Sequence, residues 1–147
     1  MDDQQGVRVI KAHDDLAWEE VPRPEGDDNP PGEEVVVFRA GDRRFSTGFW
    51  RRVPEEGAME PPYHEIAFII EGEVEVTEQD GTVHRAGPGD VLITPRGTKA
   101  VWKSLSPVKK FWAIYKEYPL GITFRSGTLT SRSGTDRRAT RRDRRRT

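Results

Sequence analysis

Turn-forming residues interrupt this sequence at short intervals, and that spacing constrains the fold more than any other feature. They fall at Ala40-Gly41-Asp42, Pro54-Glu55-Glu56-Gly57, Gln79-Asp80-Gly81, Gly87-Pro88-Gly89-Asp90 and Pro95-Arg96-Gly97. The runs between them are too short for helices of ordinary length and rich in β-branched residues: roughly 34–40, 44–52, 63–71, 73–78, 82–86, 91–94, 98–104 and 108–118. Val and Ile together number 20 against five Leu and nine Ala, a bias toward strands. Closely spaced strands punctuated by Gly and Pro predict an all-β sandwich or barrel. Asp80-Gly81 is the strongest hairpin signal among them. A single turn is the most helix that Asp14–Glu20 could supply.

Charge divides the chain into three parts. Residues 1–32 carry nine acids against three bases, residues 33–124 fourteen against twelve, and residues 125–147 two acids against nine Arg. The net charge of −1 therefore hides −8 in the body and +7 in the tail. The predicted organisation is an acidic segment at 1–32, a barrel at 33–124 and a disordered Arg-rich tail at 125–147. Within the first part, Val7–Lys11 could add an edge strand, and 24–32 reads as a flexible linker. A barrel of this size can hold its own core.

Several classes drop out. With no Cys there is no disulfide scaffold, thiolate zinc site or Cys nucleophile, and a reducing cytoplasm is the natural setting. No basic-then-apolar leader opens the sequence, which argues against secretion. The longest unbroken apolar stretches, Ile66–Ile70 and Phe111–Tyr115, are five residues each, far below the roughly 20 that span a bilayer as a helix. The Arg pairs of the tail could touch phosphates. Nothing aromatic is interleaved to stack bases, so an unstructured tail balancing an acidic body is expected rather than a nucleic-acid partner.

The chemistry concentrates on strand 63–71. Period-two alternation puts Tyr63, Glu65, Ala67 and Ile69 on one face and His64, Ile66, Phe68 and Ile70 on the other. Both faces are apolar beyond the first turn, so one should meet the lumen and the other a second layer or a second copy of the chain. A carboxylate opening an apolar lumen is pushed toward its neutral form by desolvation, which makes Glu65 a candidate acid/base. In 98–104 the Lys residues face water and Trp102 faces in. Tyr63, Glu65 and Trp102 would then line a small-molecule pocket. Equally, Trp102 could be core filler and Glu65 the acceptor of a Tyr63 hydrogen bond. Trp50 and Trp112 are further wall candidates whose facing is open. His64 reaches the lumen only through a bulge. Glu55, Glu56 and Glu60 fall in a loop at the lumen mouth, where they either gate a cationic ligand or are simply solvated.

Glu65-x6-Gly72 followed by Gly89-Asp90-Val91-Leu92-Ile93-Thr94-Pro95-Arg96-Gly97 resembles the two motifs of the cupin superfamily. Gly48-Phe49-Trp50, Tyr63-His64-Glu65-Ile66, Ile69-Ile70-Glu71-Gly72 and Phe111-Trp112-Ala113-Ile114-Tyr115 are similar to the EutQ-type (DUF861) cupins, near the ureidoglycine-aminohydrolase-like group. The resemblance covers about 35–120 and implies a cupin-type jelly-roll β-barrel of two antiparallel sheets, with a homodimer as the common assembly. EutQ-type proteins belong to ethanolamine catabolism and have been assigned acetate kinase activity. No Gly-rich phosphate loop is present here, so that activity is not carried over. Metal-binding cupins place His-x-His three or four residues before the glutamate and a third His three residues after Pro-x-Gly. Here those positions hold Met59 and Pro61, or Ala58 and Glu60, and then Ala100. Only Glu65 remains of the four ligands, which points away from a bound metal or other cofactor, a divalent ion on Glu65 being the lesser alternative. Two functions stay open. One is a metal-independent enzyme (isomerase, lyase or hydrolase) acting on a polar metabolite, with Glu65 and Tyr63 catalytic and Trp102, Trp50, Trp112 and His64 contacting the ligand. The other is a ligand-binding or accessory barrel without turnover.

Overall fold

Each of the strongest turn signals becomes a reversal in the computed structural model, which describes residues 6–117 and, as backbone, two strands at 122–125 and 128–131. Ten strands build the first unit: β1 (Glu19–Val21), β2 (Gly32–Arg39), β3 (Phe45–Arg52), β4 (Glu56–Met59), β5 (His64–Glu71), β6 (Val74–Glu78), β7 (Val83–Ala86), β8 (Val91–Thr94), β9 (Ala100–Ser104) and β10 (Val108–Tyr115). All pair antiparallel, in a six-stranded sheet of order β1-β2-β3-β10-β5-β8 and a four-stranded sheet of order β4-β9-β6-β7. This is the jelly-roll barrel expected of the sequence. Residues β11 (Ile122–Arg125) and β12 (Thr128–Ser131) form an antiparallel hairpin in a separate unit. The other residues of the Arg-rich tail, on which the expectation of disorder mostly falls, lie outside the described ones. Among the described residues no helix is long and apolar enough to cross a membrane.

Two turns show how local chemistry sets the register. Between β6 and β7, Asp80 accepts from the Thr82 N–H at 2.9 Å, which holds its carboxyl below the ordinary range, and Gly81 takes φ 88°. Between β5 and β6, Gly72 sits at φ 84°, and a Cβ there would overlap the Pro107 carbonyl oxygen. Only glycine meets both demands.

The core forms where the sheets face each other. Ile69, Val74, Ala86 and Val108 are buried at its centre, with Trp50, Leu92 and Trp102 packed against them. Register aligns the inward residues into rows across the large sheet. Glu34, Trp50, Lys110 and Ile69 form one row; Val36, Gly48, Trp112, Ala67 and Leu92 form the next. In that second row a Cβ on Gly48 would overlap the Val35 carbonyl oxygen and press on the Trp112 indole.

The N-terminal segment departs from expectation twice. Val7–Lys11 forms no strand; β1 occupies the sheet edge beside β2 instead. The turn of helix envisaged for Asp14–Glu20 is absent, because this stretch runs extended into β1. Trp18 is held there between cations, with the Arg51 guanidinium 4.1 Å and the Lys109 ammonium 5.7 Å from its ring. Lys109 also donates to the Ala12 carbonyl. Anchored side chains outweigh weak helical propensity over so few residues.

Candidate functional site

The large rows of inward side chains do not fill the barrel. A cavity of about 590 Å³ remains, walled by both sheets and by the connection between β1 and β2. Tyr63, Glu65, Trp50, Trp102 and Trp112 all line it. Trp50 and Trp112, whose facing the sequence left open, therefore lie on the inward face of β3 and β10.

His64 is placed elsewhere. It does not line the cavity; it accepts from the Arg96 N–H at 3.0 Å through Nδ1, and its Nε2 lies 3.1 Å from the Glu117 carboxylate. No bulge falls between β5 residues 64 and 68, so alternation turns the imidazole away from Glu65.

The residue the sequence reading missed is Lys110. It is buried, and its Nζ donates to Glu65 Oε1 at 2.7 Å. The ammonium also stands 5.0 Å from the Trp50 ring and 5.2 Å from the Trp102 ring. These two rings meet edge-on, with centroids 6.1 Å apart, so their faces form a corner that receives the cation. Glu65, expected as a solitary carboxylate, thus has an ion-pair partner; the two side chains are only 16% and 11% exposed. A signal did exist. Val108, Lys110, Trp112 and Ile114 share one strand parity, so fixing any one of them inward places the lysine inward too.

Tyr63 stands in the same field. Burial raises the pKa of its phenol, and the neighbouring Glu65 and Glu34 charges raise it further. Tyr63 is therefore a protonated hydrogen-bond donor throughout the neutral range. No hydrogen bond joins it to Glu65 among the described residues; the link is electrostatic.

The β1–β2 connection closes one side. Arg23 donates to Asp27 at 3.0 Å and to the Pro30 carbonyl at 3.1 Å, and pairs with Glu55. Arg52 reaches the other oxygen of Glu55 while lying 4.8 Å over the Trp50 ring. Asp27 is held below the ordinary carboxylate range, first by hydrogen bonds from the Asn29 backbone and side-chain N–H groups and then by Arg23. The acidic loop expected at the mouth is partly a strand: Glu56 opens β4, Glu55 is locked between two guanidinium groups, and Glu60 is exposed.

The residues present do not form a transition-metal site. Among the described residues no three His, Cys, Asp or Glu side chains are grouped to hold an ion. The remaining glutamate of the set, Glu65, faces an ammonium 2.7 Å away, and a second cation beside that oxygen would be repelled.

A jelly roll with an open lumen, an inward glutamate at the start of β5 and a Gly-turn-Pro segment around β8 defines a cupin. The chain belongs to the EutQ-like cupin domain family, whose model matches residues 39–112. A DUF861-family protein of unknown function from Pseudomonas syringae pv. tomato is similar in structure, with a TM-score of 0.67 and 21% identity over 76% of this chain and 48% of that one. This chain thus spans about half that protein's length. A protein described as ethanolamine utilization protein Q from Salmonella typhimurium gives a TM-score of 0.56 at 17% identity, covering 69% of this chain and 96% of that one. The Clostridium difficile EutQ protein gives 0.52 at 18%, covering 58% and 68%. At these identities the likeness speaks for the fold. No curated protein matches the chain.

Proposed function

We propose that the barrel takes a small polar metabolite into this cavity and moves a proton on it without a metal. The observation that carries the reading is the Glu65–Lys110 pair, 2.7 Å apart in a lumen walled by three Trp residues. Proton abstraction needs a base, a cation near the charge that develops, and a donor for the departing or rearranging group. Glu65 supplies the carboxylate, Lys110 the ammonium and Tyr63 a phenol held protonated by its surroundings. Trp50, Trp102 and Trp112 shape the walls of the pocket. This arrangement suits isomerisation, elimination or hydrolysis of a polar substrate.

Binding without turnover is the second reading. The observation favouring it is that Lys110 already occupies one oxygen of Glu65 and caps both indoles, as a structural pair would.

Solvent-deuterium exchange separates them. The protein is incubated in D₂O with defined pools of hydroxy acids, amino acids, amines and sugars, and each pool is followed by proton NMR. Exchange or consumption that disappears in Glu65→Gln, while the ligand still perturbs tryptophan fluorescence, supports catalysis. Ligand-dependent fluorescence with no exchange in any pool supports binding alone.

A further inference from the structure

The charges of the lumen narrow the ligand class beyond "polar". Six carboxylates line the cavity, from Asp27, Glu34, Glu55, Glu56, Glu60 and Glu65, against the cations of Arg23, Arg52 and Lys110. Each cation is already engaged by a carboxylate of the same wall: Arg23 by Asp27 and Glu55, Arg52 by Glu55, Lys110 by Glu65. Glu34, Glu56 and Glu60 have no ion-pair partner among the described residues. An anionic ligand would thus find no free counter-charge and three unneutralised carboxylates. Among the described residues, the one buried side-chain polar atom left without a hydrogen bond, Arg52 Nε, lies against Gly32 of β2 rather than in the open space, so it offers no hook for an anion.

The lumen also shows how it holds a positive group. Lys110 is seated by one carboxylate oxygen and two indole faces, the combination that receives ammonium ions generally. Glu34 lies in the same row as Trp50 and Lys110, with Tyr63 within its electrostatic reach. A second cation entering beside this row would meet an unpaired carboxylate and a phenol oxygen. A negatively lined, partly enclosed cavity concentrates cations and repels anions.

We propose that the ligand of this cavity is a small organic cation, an alkylammonium or guanidinium compound, recognised through Glu34 and the acidic rim. The inference rests on the cavity being the functional site, as proposed above, and adds the ligand's charge to it.

The test is titration of the full chain with matched probes at constant ionic strength: putrescine, agmatine and n-propylammonium as cations, 1-propanol as the neutral probe and propionate as the anion. Tryptophan fluorescence and calorimetry are the readouts. At least one cation should bind saturably, with the neutral and anionic probes inert. Glu34→Gln should weaken that binding about tenfold, the loss of one charge-assisted contact. Glu73→Gln, which removes an exposed carboxylate in the β5–β6 turn outside the cavity, should not. Preference for propionate or 1-propanol, no response to any cation, or equal weakening by the two variants overturns the inference. Failure here is distinct from failure of the proton-transfer reading. Deuterium exchange on a neutral or anionic substrate would leave catalysis standing and remove the cation. Amine binding without exchange would do the reverse.

Discussion

Replacing Lys110 with Met strips the counter-ion from a carboxylate that is only 16% exposed. At an N–O separation of 2.7 Å and an effective dielectric near 20, the direct attraction is about 6 kcal/mol. Desolvation of the two ions offsets most of that, so the intact pair contributes little net stability. Removing one partner is different, because the desolvation cost of the survivor stays. Lys110→Met should therefore destabilise the barrel by about 3–5 kcal/mol. Glu65→Gln should cost less, about 2–3 kcal/mol, because Trp50 and Trp102 still face the ammonium and the amide oxygen can still accept a hydrogen bond from it. The double variant Glu65→Gln/Lys110→Met should cost less than the sum, leaving a coupling of about 2 kcal/mol or more. For a domain of this size, 1 kcal/mol moves the melting midpoint by about 4 °C, so the single Lys110 variant should melt about 12–20 °C lower. Urea denaturation of the four proteins measures the cycle. Additive losses within about 0.5 kcal/mol, or a Lys110→Met protein as stable as the parent, would refute the claim that these two charges form one buried unit.

The Tyr63 phenol should titrate above its ordinary range when followed by phenolate absorbance. Its folded pKa lies above the ordinary 10.0, so its contribution to stability is complete below that pH. It is lost as the pH climbs through the raised value, since the unfolded chain gives up its proton first. Tyr63→Phe should remove this titration and flatten stability above pH 10. Gly72→Ala should destabilise by about 2–4 kcal/mol in denaturant titration, combining a left-handed backbone with overlap on the Pro107 carbonyl. Gly57→Ala, with no neighbouring atoms in the way, should shift stability far less. On the outer face of β5 and β8, Ile66 opposes Ile93 and Phe68 opposes Val91, all four exposed. A second copy of the chain is the proposed cover for this row. Light scattering should give a dimer for the parent and a monomer for Phe68→Glu, and an unchanged mass in the variant would remove this face from the interface.

Fold was far more legible than site, for a physical reason. Turn chemistry is local: Asp80-Gly81 and Gly72 advertise their reversals in one or two residues, and eight of the ten strands of the barrel lie where turn spacing put them. The two strands that escaped detection, β1 and β4, are three and four residues long and are specified by their partners. β1 exists because Glu19–Val21 can pair with β2, and β4 because Glu56–Met59 can pair with β9. Neither pairing leaves a period in the sequence. The β1–β2 connection, read as a spacer, likewise becomes a cavity wall only through a distant partner, since Arg23 and Glu55 are 32 residues apart.

Lys110 was hidden by the strand that carries it. β10 lies in the interior of its sheet, between β3 and β5. Its outward face is itself partly covered, with Phe111 packed on Phe49 at 5.2 Å and Lys109 tied to the N-terminal segment. Apolar residues therefore occur on both faces from Phe111 to Tyr115, and the alternation that would reveal parity vanishes. A Lys109-Lys110 doublet before such a run reads as a strand end in water, although one of the two is buried. The missing histidines were visible directly, at Ala100 and at Met59 and Pro61 or Ala58 and Glu60. The lysine is the other half of the same fact. A carboxylate drawn into a barrel is stabilised by a compensating positive charge, and at Glu65 the Lys110 ammonium supplies it. In this barrel β10 delivers it to Glu65 and leaves Glu34 without an ion-pair partner among the described residues, which is the ground for the cationic ligand proposed above.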